Sequence, residues 1–178
     1  MNEPMKLIEG MKKLKILEKH IGRNTERITQ YASLVSTEKP FFGSEDDQRK
    51  EVNSLIQSNN DLFEEYIHLK KRVDTTNLST EVTIGNRNYI LADLLIIRRG
   101  LGKTMEKTYQ ALNDTYGHGR LMLIQRNVQL QSGEKPPHVI RLYDESDRIE
   151  GLQHWQELLD TIEQRLEVIN ATTDLVVI

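Results

Sequence analysis

The stretch Leu91–Leu112, LADLLIIRRGLGKTMEKTYQAL, decides the fold. An apolar run entering Gly102-Lys103-Thr104 has the outline of a strand feeding a phosphate-binding loop. Such a loop needs glycine, four residues, then Gly-Lys-Ser/Thr, so that backbone N–H groups can close around phosphate. Counting back from Gly102 puts Ile97 where the first glycine belongs. Its side chain would crowd the cradle, and no later apolar run ends in an aspartate suited to magnesium. Leu91, Leu94, Leu95, Leu101, Met105, Tyr109 and Leu112 instead keep helical spacing straight through Gly100 and Gly102. The stretch therefore predicts a helix whose glycines let another backbone approach, at a propensity cost of about 1 kcal/mol each.

The segments around it repeat this design. Across residues 5–35, Leu7, Leu14, Ile21, Ile28 and Val35 recur every seven residues, with Leu17 and Tyr31 between them. That is a coiled-coil-like seam, diluted by Gly10, Gly22 and Asn24. Pro40 and Gly43 end it. Ser44 can cap the next helix, whose positive N-terminal end suits Glu45, Asp46 and Asp47. Residues 46–75 carry a second seam of Val52, Leu55, Leu62, Tyr66, Leu69 and Val73. Asn59 occupies an apolar position of that seam, where a polar side chain can fix register or face a ligand. Residues 148–170 carry a third seam through Leu152, Trp155, Leu159, Ile162, Leu166 and Ile169.

Two places change period. Val82, Ile84, Tyr89 and Ile90 flank Gly85-Asn86-Arg87-Asn88, which predicts a small hairpin near 80–90. Gly117 and Gly119 read as a helix break. After them RLMLIQRNVQL, residues 120–130, has β-formers in near alternation, and HVIRLYDE can pair back on it as a second hairpin near 120–143. The fold expected is mainly α: a single domain over residues 1–178, an elongated bundle of about four long helices with one or two short β-hairpins. Such interrupted seams leave more apolar stripe than one chain readily covers, so self-association is the expected remedy, as dimer, trimer or hexamer.

Cysteine is absent, which removes disulfides, thiol catalysis and cysteine-bound zinc. No apolar run approaches the roughly 20 residues of a membrane span, and MNEPMKLIEGMKKLK lacks the apolar core of a secretion signal. A soluble, cytoplasmic protein that does not engage membranes is the expectation. The net charge of −3 is unevenly placed: residues 84–143 carry +5 and residues 144–178 carry −7. Either these regions face each other, within or between subunits, or the basic middle holds an anion.

The opening MKLIEGMKKLKILEKHIGR, the middle HLKKRVDTTNLSTEV and the run IGNRNYILADLLIIRRGL resemble a poorly characterised family of small, helix-rich bacterial and phage proteins often labelled septicolysin. The closing LQHWQELLDTIEQRLEVINATTDL resembles that family's last helix, with Asn170-Ala171 where the family often has Asn-Trp. The resemblance implies a mostly helical homo-oligomer with a small β element. It supplies no catalytic residues, and no apolar insertion segment accompanies the haemolysin that the label implies.

The residue chemistry points to binding. Arg98 and Arg99 sit on an otherwise apolar helix, with Lys103 one turn beyond Arg99. Arg87 projects from the hairpin that leads in, and Arg120 and Arg126 follow. Guanidinium groups offer rigid paired donors to carboxylate or phosphate, and Tyr89 and Tyr116 could stack on a base. The competing reading is ordinary ion pairing with the acidic last helix. Extended nucleic acid is disfavoured by the overall negative charge. Glu64, Glu65 and His68 give a Glu-x-x-His pattern, Glu65 to His68, with the spacing of a di-iron ligand pair, but no second copy exists, so no metal or other cofactor is expected. Asp144, Glu145 and Asp147 lack the glycine of a calcium loop and better serve the N-terminus of the last helix. No Gly-x-Ser-x-Gly elbow occurs. The expectation is a non-enzymatic homo-oligomer that binds a small anion, such as a nucleotide-derived signal it sequesters, through Arg87, Tyr89, Arg98, Arg99, Lys103, Tyr116, Arg120 and Arg126. The alternatives are a structural or protein-interaction module without a ligand, and a metal-dependent phosphoesterase.

Overall fold

The computed structural model describes residues 4–127 and 135–177. Among the described residues the chain is mainly helical, with one two-stranded antiparallel hairpin. In order come α1 (Leu7–Tyr31), α2 (Glu45–Ser79), β1 (Glu81–Ile84), β2 (Arg87–Ile90), α3 (Leu91–Ile96), a π-helical turn (Ile97–Leu101), α4 (Gly102–Gln110), α5 (Thr115–Asn127) and α6 (Glu145–Thr172). No described helix is long and apolar enough to cross a membrane. The chain forms two compact units. One comprises residues 1–82, 90–92 and 166–178, and the other comprises 83–89 and 93–165.

The first unit is built on an antiparallel pair, α1 against α2. Asn24 Nδ2 donates to Ser58 Oγ at 3.2 Å, Tyr66 Oη to Glu18 Oε1 at 2.7 Å, and Arg27 Nη2 to Glu51 Oε1 at 2.7 Å. The seam buries Leu7, Leu14 and Leu17 of α1 and Leu55, Leu69 and Val73 of α2. Each such side chain contributes about 1.5–3 kcal/mol when taken fully from water. Ser44 caps α2 as its position predicts, its Oγ accepting from Asp47 N at 3.1 Å. The buried Gln48 locks the connection. It donates to Tyr31 O at 2.8 Å and accepts from Phe41 N at 3.0 Å, while Phe41 and Phe42 pack on the Tyr31 ring.

Residues 173–176 close this unit in extended conformation. Leu7 N donates to Thr173 O and Leu175 N to Met5 O, each at 2.8 Å. Leu175 is buried beside Gly10, where an added Cβ would stand 2.6 Å from Leu175 Cδ1. Gly10 interrupts the heptad in sequence because that place is taken by Leu175.

In the second unit the 91–112 expectation holds in outline. The segment is helical to Gln110, but passes through the π turn, where Gly100 has φ 162° and ψ −28°. Helix α3 and the π turn, not a strand, run into the glycines. Gly102 is buried against α6, with an added Cβ 2.6 Å from Leu159 Cδ2, whereas Gly100 is exposed and faces open space. Leu94, Leu158 and Ile162 form the buried centre.

Among the described residues the expected second hairpin is not found. Residues 120–127 belong to α5, and 135–143 carry no strand; Val128 and Leu130 lie outside the described residues. Leu, Met, Arg and Gln are good helix formers, and over so short a run their alternation was coincidental. The Gly117 reading fails for a related reason. It lies inside α5, where an added Cβ would stand 2.7 Å from Val139 Cγ1. It permits close approach instead of breaking the helix.

Candidate functional site

The hairpin tip and the middle of α6 enclose an open groove of about 470 Å³ within the second unit. The tip turns through two residues, with positive φ at Gly85 (57°), the pattern of turns whose first loop residue is glycine. That turn sets Arg87 and Tyr89 on the strand that leaves it. Arg165 fixes the tip from α6, its Nη1 donating to the Thr83 carbonyl. From α6, His154, Glu157 and Thr161 line the opposite wall at i, i+3 and i+7, one face of the helix. The adjacent Leu158 is 7% exposed and anchors that face in the core. The His154 ring meets Trp155 edge-on, with centroids 5.5 Å apart.

The charges in this groove are mixed. Arg87 has no ion-pair partner among the described residues and is exposed. Glu157 Oε1 accepts from Gln153 Nε2 at 2.7 Å. The groove thus offers a guanidinium, an imidazole, a hydroxyl, a phenol ring and one carboxylate oxygen to share.

The structure brings together two of the eight residues expected to bind an anion, Arg87 and Tyr89; none of the other six lines the groove. Arg98 is engaged by Glu163 through two hydrogen bonds. Lys103 Nζ lies 2.9 Å from Glu106 Oε2. Arg99, Arg120 and Arg126 are exposed without ion-pair partners among the described residues, and Tyr116 is 85% exposed on α5. Sequence reasoning missed His154, Glu157 and Thr161. Their helical spacing was visible, but nothing in the sequence joins that face to a hairpin some 65 residues earlier.

Two other polar clusters serve structure. The Glu106 side chain, mostly buried, accepts from Lys103 Nζ, from Gln110 Nε2 at 3.2 Å and from Gln156 Nε2 at 3.2 Å. The hydrogen bond from Lys103 does most to hold its carboxyl below the usual glutamate range. Asp114 accepts from Arg141 Nη2 at 2.8 Å and from Tyr143 Oη at 3.2 Å. Arg141 is the main cause of its lowered pKa. Among the described residues, no three histidine or acidic side chains gather in a way that could hold a metal ion.

No protein-family model, curated protein or solved structure matches the chain.

Proposed function

We propose that the chain is a non-enzymatic, self-associating protein that binds a small anionic ligand in the groove between the hairpin tip and α6. One observation carries the reading: Arg87 stands in a groove beside Tyr89 and His154 with no carboxylate engaged to it among the described residues. A guanidinium so placed offers paired donors to phosphate or carboxylate. Glu157 and Thr161 narrow the ligand class. A bare anion would be repelled by the Glu157 carboxylate. A nucleotide also carries ribose hydroxyls and base amino groups, which donate to carboxylate and hydroxyl oxygens, and its base can lie against Tyr89. Sequestration of a nucleotide-derived signal is the use that fits a binding groove without a nucleophile–base pair.

Thermal shift with cyclic AMP, AMP, adenosine and inorganic phosphate at millimolar concentration tests this. The expected result is a rise in Tm with a nucleotide, a smaller one or none with adenosine or phosphate, and its loss in Arg87→Ala but not in Arg98→Ala. No shift with either nucleotide overturns the reading.

A second reading, a structural or protein-interaction module, is favoured by one observation. Arg98 and Lys103, two of the four cations of Leu91–Leu112, are bonded to Glu163 and Glu106. Under it, replacing both arginines of the 98–99 pair alters assembly or stability and no small-molecule affinity.

A further inference from the structure

The outward face of α1 carries Lys12, Lys15, Lys19 and Arg23. All four are exposed, and none has an ion-pair partner among the described residues. Successive positions three or four residues apart place them within one stripe about 16 Å long. Their neighbours Lys13 and Arg27 turn toward α2 and are paired there with Glu65 and Glu51. Ile16 stands in the middle of the stripe, 52% exposed. Across a 28-residue helix, α6 shows the complement. Glu150, Glu157 and Asp160 share one exposed face about 15 Å long and have no ion-pair partner among the described residues, while Glu163 points away to Arg98. Ile149, 51% exposed, borders that face.

We infer that the α1 stripe of one copy docks on the acidic α6 face of a second copy. The spacings agree: Lys12 and Lys19 are seven residues apart, as are Glu150 and Glu157, and Arg23 and Asp160 continue each row by a turn. Ile16, within the basic row, and Ile149, at the end of the acidic one, add exposed apolar surface beside the charges. Each copy carries both faces, so every copy can both give and receive the contact. Exposed ion pairs are individually weak and salt-screened, so the association belongs to low ionic strength. The inference deepens the self-association in the proposed function; Glu157 belongs to both the docking face and the groove, so the test leaves it unchanged along with Arg87, Tyr89 and His154.

The test is charge reversal with light scattering on the full chain at about 100 µM, in low salt and in roughly 0.5 M salt, where the Debye length falls to a few ångströms. Wild type is expected to show at least twice the monomer mass in low salt and monomer mass in high salt. The triple variant Lys12→Glu, Lys15→Glu, Lys19→Glu and the double variant Glu150→Lys, Asp160→Lys are each expected to be monomeric in low salt, with unchanged helical circular dichroism. Mixing the two variants is expected to restore the doubled mass, because each then presents the charge the other lacks. A monomeric wild type in low salt, unaltered association in either variant, or no recovery on mixing overturns the inference. Nucleotide-induced thermal shifts measured on the same monomeric variants report on the groove separately.

Discussion

Arg98 and Glu163 form a two-pronged pair, Nε to Oε2 at 2.7 Å and Nη2 to Oε1 at 3.0 Å, joining the π turn to α6. Both side chains remain about half exposed, at 48% and 63%. Water and salt therefore weaken a contact whose geometry is good. A double-mutant cycle of Arg98→Ala and Glu163→Ala, read by urea denaturation, is expected to give a coupling of about 0.5–1 kcal/mol that shrinks in high salt. A coupling above roughly 2 kcal/mol would mean that the pair is shielded from solvent in a larger assembly.

Gly151 faces the ring of Tyr109, and an added Cβ would overlap it. Alanine raises helix propensity by about 1 kcal/mol over glycine, so on an open helix Gly151→Ala would stabilise. Here the ring must move, and overpacking costs about 1–3 kcal/mol. Net destabilisation is expected by chemical denaturation, and Tyr109→Ala in the same chain should convert the alanine to a gain.

The Asn59 amide sits in the α1–α2 seam with its Oδ1 buried and unpartnered among the described residues. Its Nδ2 reaches Ile21 O and Thr25 Oγ1 only at 3.5 and 3.4 Å, near the limit for a hydrogen bond. Asn59→Leu is therefore expected to stabilise the chain by about 1–2 kcal/mol in denaturant titrations. A loss of stability would show that the amide has a partner which the isolated chain does not supply.

Acid sensitivity is expected to centre on Asp114. Its carboxyl lies below the usual aspartate range, chiefly through the hydrogen bond from Arg141. A carboxylate with a depressed folded-state pKa contributes stability that is complete above its unfolded value of about 4 and disappears as pH falls through the lower folded value. Melting temperature measured between pH 7 and pH 2 should hold level and then drop below about pH 4. Asp114→Asn should start lower and drop less steeply.

The sequence was informative where a period ran long. The seams of α1, α2 and α6 each repeat over several turns, and Ser44 carries its capping chemistry in its identity, so these elements lie within a few residues of their expected bounds. Leu91–Gln110 was legible as helix because Ile97 rules out the loop reading. The π turn was not, since it depends on how the chain rejoins α6 at Gly102 and Leu159. The 120–127 run failed because a short apolar-rich stretch serves helix and strand alike. The glycines misled most. Gly10, Gly117 and Gly151 were read as interruptions or passed over, yet each makes room for a side chain distant in sequence. The groove was half visible: Arg87 and Tyr89 stand out next to a turn, but His154 joins them only through tertiary packing.

The bridge between Lys6 and Asp174 sets an order of events. A ribosome delivers the start of α1 long before residues 173–176 exist. Until they arrive, the place beside Gly10 that Leu175 fills stays open, and Thr76 lacks the Val176 amide that it accepts at 3.1 Å. The helical pair can assemble once α2 ends at Ser79, but its end stays unsealed through about 90 further residues of synthesis, an interval in which a chaperone would find Leu7 still waiting for cover.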